Sequence, residues 1–236
     1  MRSILNNLLF LIHNKMEHIS TGGNIMGVKI KKAMVVLLAY ALLASSLSVH
    51  AALDPDESKY IENYKSIMQV MQDEMTNAPK TGDPSLDFLY EMIPHHEAAV
   101  SMSENLLDYG SNTKVKELAA AIIKEQLSGI KQMKALLDEL KNNPQVDKKK
   151  EAEYLKGYEK AFKEMMEEMD EEKPTGNINL DFLEEMIPHH EGGIDMASNI
   201  LKYTNSKELQ KIANQIIANQ SKQVKQMEKL KDALDD

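Results

Sequence analysis

The 236 residues include no cysteine and no tryptophan. Without cysteine the chain can form no disulfide, hold no metal through thiolate and carry no lipid at a cleavage-site cysteine. Aromatic residues make up only 5% of the chain, so methionine and leucine have to fill most of any core. Basic side chains are outnumbered, 28 against 37 acidic, and the formal net charge is −9. That deficit excludes nucleic-acid binding driven by counterion release. The longest apolar run, "AMVVLLAYALLA" at 33–44, falls short of the ~20 residues a membrane span needs. No stretch alternates with the period of two that marks a strand.

The apolar run has a different use. Lys29, Lys31 and Lys32 precede it, and "SSLSVHA" follows, with Val49 and Ala51 at the positions a signal peptidase reads. A basic segment, a short apolar segment and a small-residue cleavage site together predict a secretory signal peptide over 26–51. Residues 1–25 sit awkwardly ahead of it and read as an upstream extension of a start at Met26. Gly22 and Gly23 would then reflect a purine-rich ribosome-binding tract translated as protein. Cleavage after Ala51 removes Arg2, Lys15, Lys29, Lys31 and Lys32 but only one acid, Glu17, which leaves the mature chain still more acidic. The expected location is periplasmic or secreted, with no membrane attachment after cleavage and no nucleic-acid partner.

Shifted by 94 residues, the remainder aligns with itself without a gap. "LDFLYEMIPHHE" at 86–97 falls on "LDFLEEMIPHHE" at 180–191, Tyr64 on Tyr158, Met71 on Met165, Met75 on Met169, Gln126 on Gln220 and Met133 on Met227. This predicts two helical repeats, 54–142 and 148–236, forming one pseudo-symmetric unit. Each repeat reads as three helices. In the first, apolar residues recur at helical spacing from Tyr60 to Met75, and "NAPKTGDP" at 77–84 ends the helix. Asp83 caps the second helix, with Pro84 in its first turn, and Gly110 ends it. The third, about 113–141, carries a heptad-like stripe from Val115 to Leu140. The expected fold is all-α. The second and third helices of each repeat form an antiparallel four-helix bundle, and the first helices are additional amphipathic helices packed on it.

After residue 51 there are four histidines: His95, His96, His189 and His190. All four belong to the two copies of "EMIPHHE". On a helix Met92 lies at the centre of the apolar arc with His95 and His96 on either side, so the three share one turn of surface. Pro94 withdraws the N–H that would bond the Tyr90 carbonyl, which predicts a kink beside the histidines, and Pro188 does the same in the second copy. Three uses of the histidines compete: hydrogen-bonded packing, acid–base catalysis and metal binding. No nucleophile pattern accompanies them, so no catalytic residue is assigned. Neutral imidazole is the commonest protein metal ligand.

The spacing narrows the metal. Di-iron bundles use Glu-x-x-His, but the residue three before His95 is Met92. Zinc protease helices separate their histidines by a turn, whereas these are adjacent. What stands nearby is thioether, and imidazole with thioether suits Cu(I) and silver better than zinc or iron. The candidate ligands are therefore His95, His96, His189 and His190 with Met92 and Met186. Met102 and Met196 lie two turns further along, about 10 Å by helix rise. Met71, Met75, Met165 and Met169 are core residues first and additional soft-metal ligands second. Asp87, Asp181, Gln126 and Gln220 are candidates for orienting the histidines from behind. Two motifs allow two sites or one shared site; the expectation is at least two bound ions.

"DFLYEMIPHHEAAVSMSENLL" at 87–107 and "DFLEEMIPHHEGGIDMASNIL" at 181–201 resemble a bacterial family of exported proteins known as domain of unknown function 305. The pattern is an Asp, an apolar stretch, a Met, the adjacent histidine pair and a later Met. Ser103 stands where the second copy has Ala197. The resemblance implies a ferritin-like helical bundle and copper binding in the periplasm through His95, His96, Met92, Met102 and their repeat partners. The leading reading is binding and buffering of copper, favouring Cu(I), without turnover. The alternatives are a ferritin-like metalloenzyme that oxidises the bound metal, and a structural helical module whose histidines only pack. A homodimer or a copper-transfer partner fits the leading reading, but the sequence names neither.

Overall fold

The computed structural model describes residues 54–235, and the start-site and signal-peptide expectations over 1–51 lie outside them. Six α-helices make up the described chain, with no strand among them: α1 Pro55–Thr76, α2 Pro84–Tyr109, α3 Thr113–Leu140, α4 Lys148–Glu171, α5 Ile178–Ile200 and α6 Lys207–Asp235. Local chemistry sets their ends. The Asp83 carboxylate accepts from the Ser85 amide to cap α2, and Asn177 does the same from Asn179 for α5. The turn before each of these caps passes through a glycine in the left-handed region, Gly82 (φ 91°) and Gly176 (φ 85°). α2 continues through Pro94 and α5 through Pro188, so the histidines after each proline stay in helical register.

α2 packs on α3, α5 on α6, α2 on α5 and α3 on α6, which closes a four-helix bundle; α1 lies against α2 and α4 against α5. The all-α bundle with extra helices is thus as expected. Eleven methionines are buried, among them Met71, Met75, Met92, Met102, Met165, Met169, Met186 and Met196. Burying one such side chain stabilises by roughly 1.5–3 kcal/mol. Packing alone therefore accounts for these methionines, and burial does not single out ligands among them.

The copies are stitched across each other. Tyr60 of α1 donates its hydroxyl to Glu185 of α5 at 2.6 Å, and the equivalent Tyr154 of α4 donates to Glu91 of α2. Asn105 and Asn199 each donate at 2.9 Å to a backbone carbonyl one helix away, that of Tyr60 and Tyr154 respectively. The outer helices are thereby pinned to the two helices that carry the histidines.

Candidate metal centre

The two histidine pairs do not face separate ends of the bundle. They meet where α2 crosses α5. The His95 and His189 rings stack with centroids 3.9 Å apart and planes 28° from parallel. Within each pair the ring centroids are 5.9 Å apart. The geometry brings the two pairs into one cluster, where the sequence left one shared site or two open and led to an expectation of at least two bound ions. His95, His189 and His190 are 0% exposed and His96 is 1% exposed.

Burial keeps these rings uncharged. It pushes His95 down to about 3, with the nearby His190 adding to the effect. Burial alone takes His190 down to about 4 against the pull of its Gln223 bond. His96 and His189 lie well below the usual imidazole value, first from burial and then from the neighbouring histidines. Neutral imidazole is the ligating form.

Two of the tautomers follow from the partners. His95 Nε2 lies 3.1 Å from the His189 carbonyl oxygen, and His190 Nε2 lies 2.8 Å from Gln223 Oε1. Both oxygens accept only, so both Nε2 atoms carry the proton and the lone pair sits on Nδ1. The Nδ1 atoms of His95, His189 and His190 have no hydrogen-bond partner, and neither do the amide nitrogen and oxygen of the fully buried Gln126 and Gln220. Each unmet buried polar group costs about 1–3 kcal/mol. A histidine cluster kept only for packing would leave that cost without return. An ion at the lone pairs would offset it, so the residues fit a metal held through imidazole.

The fit is not preformed. Among the described residues no three His, Asp or Glu side chains already hold their donor atoms at one point, and a site here requires the rings to turn or thioethers to join. Met92 and Met186, one turn before the histidines, are 0% exposed and part of the same core, as are Met102 and Met196 at 1%.

Other candidates separate. Asp87 accepts from the Thr81 amide and hydroxyl at 2.8 and 2.7 Å, and Asp181 from Thr175 at 2.7 and 2.6 Å. Both are tied to the loop ahead of their helix, and the bonds found for them run to threonine rather than to a histidine. Gln126 and Gln220 are buried but bond no histidine either. Gln220 and His95 Cε1 instead crowd the same face of Gly193, where a Cβ would lie 2.8 Å from the ring carbon. Met165 rests against the neighbouring Gly192, while Met71, Met75 and Met169 are core.

Two features escaped the sequence reading. Gln223 is the side chain that bonds a histidine, and self-alignment hid it because its repeat partner is Gly129. Glu91 and Glu185, inside the motif itself, are buried carboxyls. Burial raises them to about 7 and about 8, against the hydrogen bonds from Lys80 and Tyr154 in the first case and Tyr60 in the second. Tyr60 and Tyr154, 94 residues apart, were the signal that could have located their partners.

A family model described as "Domain of unknown function (DUF305)" matches residues 85–231. A solved structure described as "CopM in the Cu(II)-bound form" is 29% identical, covering 64% of this chain and 97% of CopM, with a TM-score of 0.49. A DUF305 fragment from Deinococcus radiodurans is 23% identical over 64% of this chain and 96% of the fragment, also at 0.49. Uncharacterized protein L153 of Acanthamoeba polyphaga mimivirus is 39% identical over 54 residues, 23% of this chain, which span only 36% of that relative's length.

Proposed function

The chain belongs to the DUF305 family, whose description assigns no activity, and from its own residues we propose that it binds and buffers soft metal ions, Cu(I) above all, in the cell envelope. The observation that carries this reading is the cluster of buried neutral imidazoles with Nδ1 lone pairs that no protein group meets. His95, His96, His189 and His190 supply nitrogen ligands, and Met92 and Met186 supply thioethers. A Cys-free site of this kind remains usable in an oxidising compartment, and thioether selects Cu(I) and Ag(I) over Zn(II) and Fe(II).

The oxidase alternative is less well supported. A di-iron carboxylate centre draws on glutamates of the bundle helices, but Glu91 and Glu185 are engaged by Tyr154 and Tyr60. The test is a competition titration of wild type and the Met92→Leu/Met186→Leu double variant with Ag(I) and Zn(II) in parallel. Leucine keeps shape and apolarity, so the fold changes little. The expected result is a loss of about tenfold or more in Ag(I) affinity with any Zn(II) binding retained. Equal losses for both ions, or none, would limit these methionines to packing.

A further inference from the structure

One stretch of the seam between α3 and α6 differs from its repeat-related stretch in a way that bears on how an ion reaches buried histidines. A groove of about 210 Å³ runs between α3 and α6, lined in part by Glu125, Ser128, Gly129, Gln132, Ile216 and Asn219. Gly129 is half-buried at the groove and backs directly onto the cluster. A Cβ placed on it would sit 3.1 Å from His96 Cδ2 and 3.2 Å from His96 Nε2. No side chain at position 129 stands between the groove and the ring.

The repeat-related position is closed. Residue 223, 94 beyond Gly129, is a glutamine that is 7% exposed and bonds His190 at 2.8 Å. The corresponding groove is lined by Lys114, Leu118, Ala121, Gln226 and Lys229 among others and does not extend to Gln223. The closed groove carries Lys114 and Lys229 against the single acid Glu117, a net positive lining, whereas the lining of the open one holds a single charged group, the Glu125 carboxylate, to which Asn219 donates at 3.0 Å. Charge and space agree on which groove admits a cation.

We infer that the α3–α6 groove over Gly129 is the access route for a soft monovalent cation, with His96 the first imidazole it meets. The inference rests on the metal-binding reading above and adds to it the direction and the gate. Gln223 closes the repeat-related stretch of the same α3–α6 seam and orients His190, so loading proceeds through the Gly129 stretch into the shared cluster.

The probes are Ag(I) association by stopped flow and carbethoxylation of histidines by diethyl pyrocarbonate, mapped by mass spectrometry. Gly129→Gln installs the residue that the same helix position already accommodates in the second copy. It is expected to slow Ag(I) association by about tenfold while shifting equilibrium affinity much less. Gly129→Ala, which adds only the Cβ, should slow it by a smaller factor and serves if the glutamine variant fails to fold. In wild type His96 should be carbethoxylated ahead of His95, His189 and His190, and Gly129→Gln should remove that lead. Unchanged association in folded Gly129 variants would overturn the route, as would labelling of the four histidines at one rate. If wild type binds no Ag(I) at all, the metal reading falls, and the labelling order still decides whether the groove reaches His96.

Discussion

Seven identical residues, "EMIPHHE", sit at 91–97 and 185–191, and the two copies live in different surroundings. His96 backs onto Gly129; His190 is held by Gln223. The residues after the first motif are Ala98 and Ala99, and after the second Gly192 and Gly193, which admit Met165 on one side and His95 with Gln220 on the other. Glu91 has Lys80 beside it, whereas the equivalent of Lys80 is Pro174, so that position offers Glu185 no cation. The lesson is that the motif supplies the imidazoles while the non-identical residues around it assign their roles. The first copy is open to the groove and braced by charge. The second is closed, and its glycines give the first copy's ring room to stack.

The largest expected effect asks whether the copies are one site or two. His95→Ala/His96→Ala and His189→Ala/His190→Ala should each weaken Cu(I) binding by about 100-fold or more, because the stacked His95 and His189 belong to one cluster. Independent sites would instead leave half the stoichiometry at full affinity in either variant. Anaerobic titration against a strong Cu(I) chelator reads the difference.

A smaller effect tests the glycine pair. Gly193→Ala gains about 1 kcal/mol of helix propensity but drives a Cβ into the His95 ring and the Gln220 amide, and overpacking of that kind costs about 1–3 kcal/mol. The net expectation is destabilisation together with weaker metal binding. The reciprocal Ala99→Gly should cost about 1 kcal/mol from propensity and leave binding almost untouched. Urea unfolding with a parallel Ag(I) titration would show the two substitutions to be unequal; equal effects would mean that the copies pack their histidines alike.

The helix ends were legible because short-range chemistry sets them. Asp83 and Pro84 start α2 and Gly110 ends it without reference to anything distant. The buried stripe from Val115 to Met133 was legible for the same reason. That His95 stacks on His189 was not, because it depends on the register with which α2 crosses α5, and two pairs at equivalent positions fit a shared or a separate arrangement equally well. Gln223 was lost to the repeat itself: aligning the copies directs attention to what they share, and this residue acts through what they do not. The motif glutamates carry no assignment from sequence because their partners, Tyr60 and Tyr154, come from the outer helix of the opposite copy, and the pairing is visible only once the helices cross.

The smallest effect separates the two motif glutamates by pH. Glu185 is raised to about 8 by burial, with the Tyr60 hydroxyl bond opposing it, whereas Glu91 is raised to about 7 with Lys80 and Tyr154 opposing. A carboxyl whose folded value lies above its unfolded one binds more protons folded than unfolded between the two. It therefore supports stability on the acid side and withdraws it as pH rises from about 4.5 toward the folded value. The histidines act in the opposite sense: the unfolded chain takes up protons below about 6.5 that the folded one refuses down to about 4 or 3, so stability falls with acid. Histidine terms are common to wild type and glutamate variants and cancel in the difference between them. Glu185→Gln removes a charge that the fold disfavours and keeps an acceptor for Tyr60, so it should gain about 1 kcal/mol or more over wild type above pH 8 and nothing near pH 5. Glu91→Gln gives up the Lys80 pair and should gain less at the same pH. Denaturant midpoints across pH 5–9 decide it, and the same alkaline gain in both variants would erase the distinction drawn from Lys80 and Pro174.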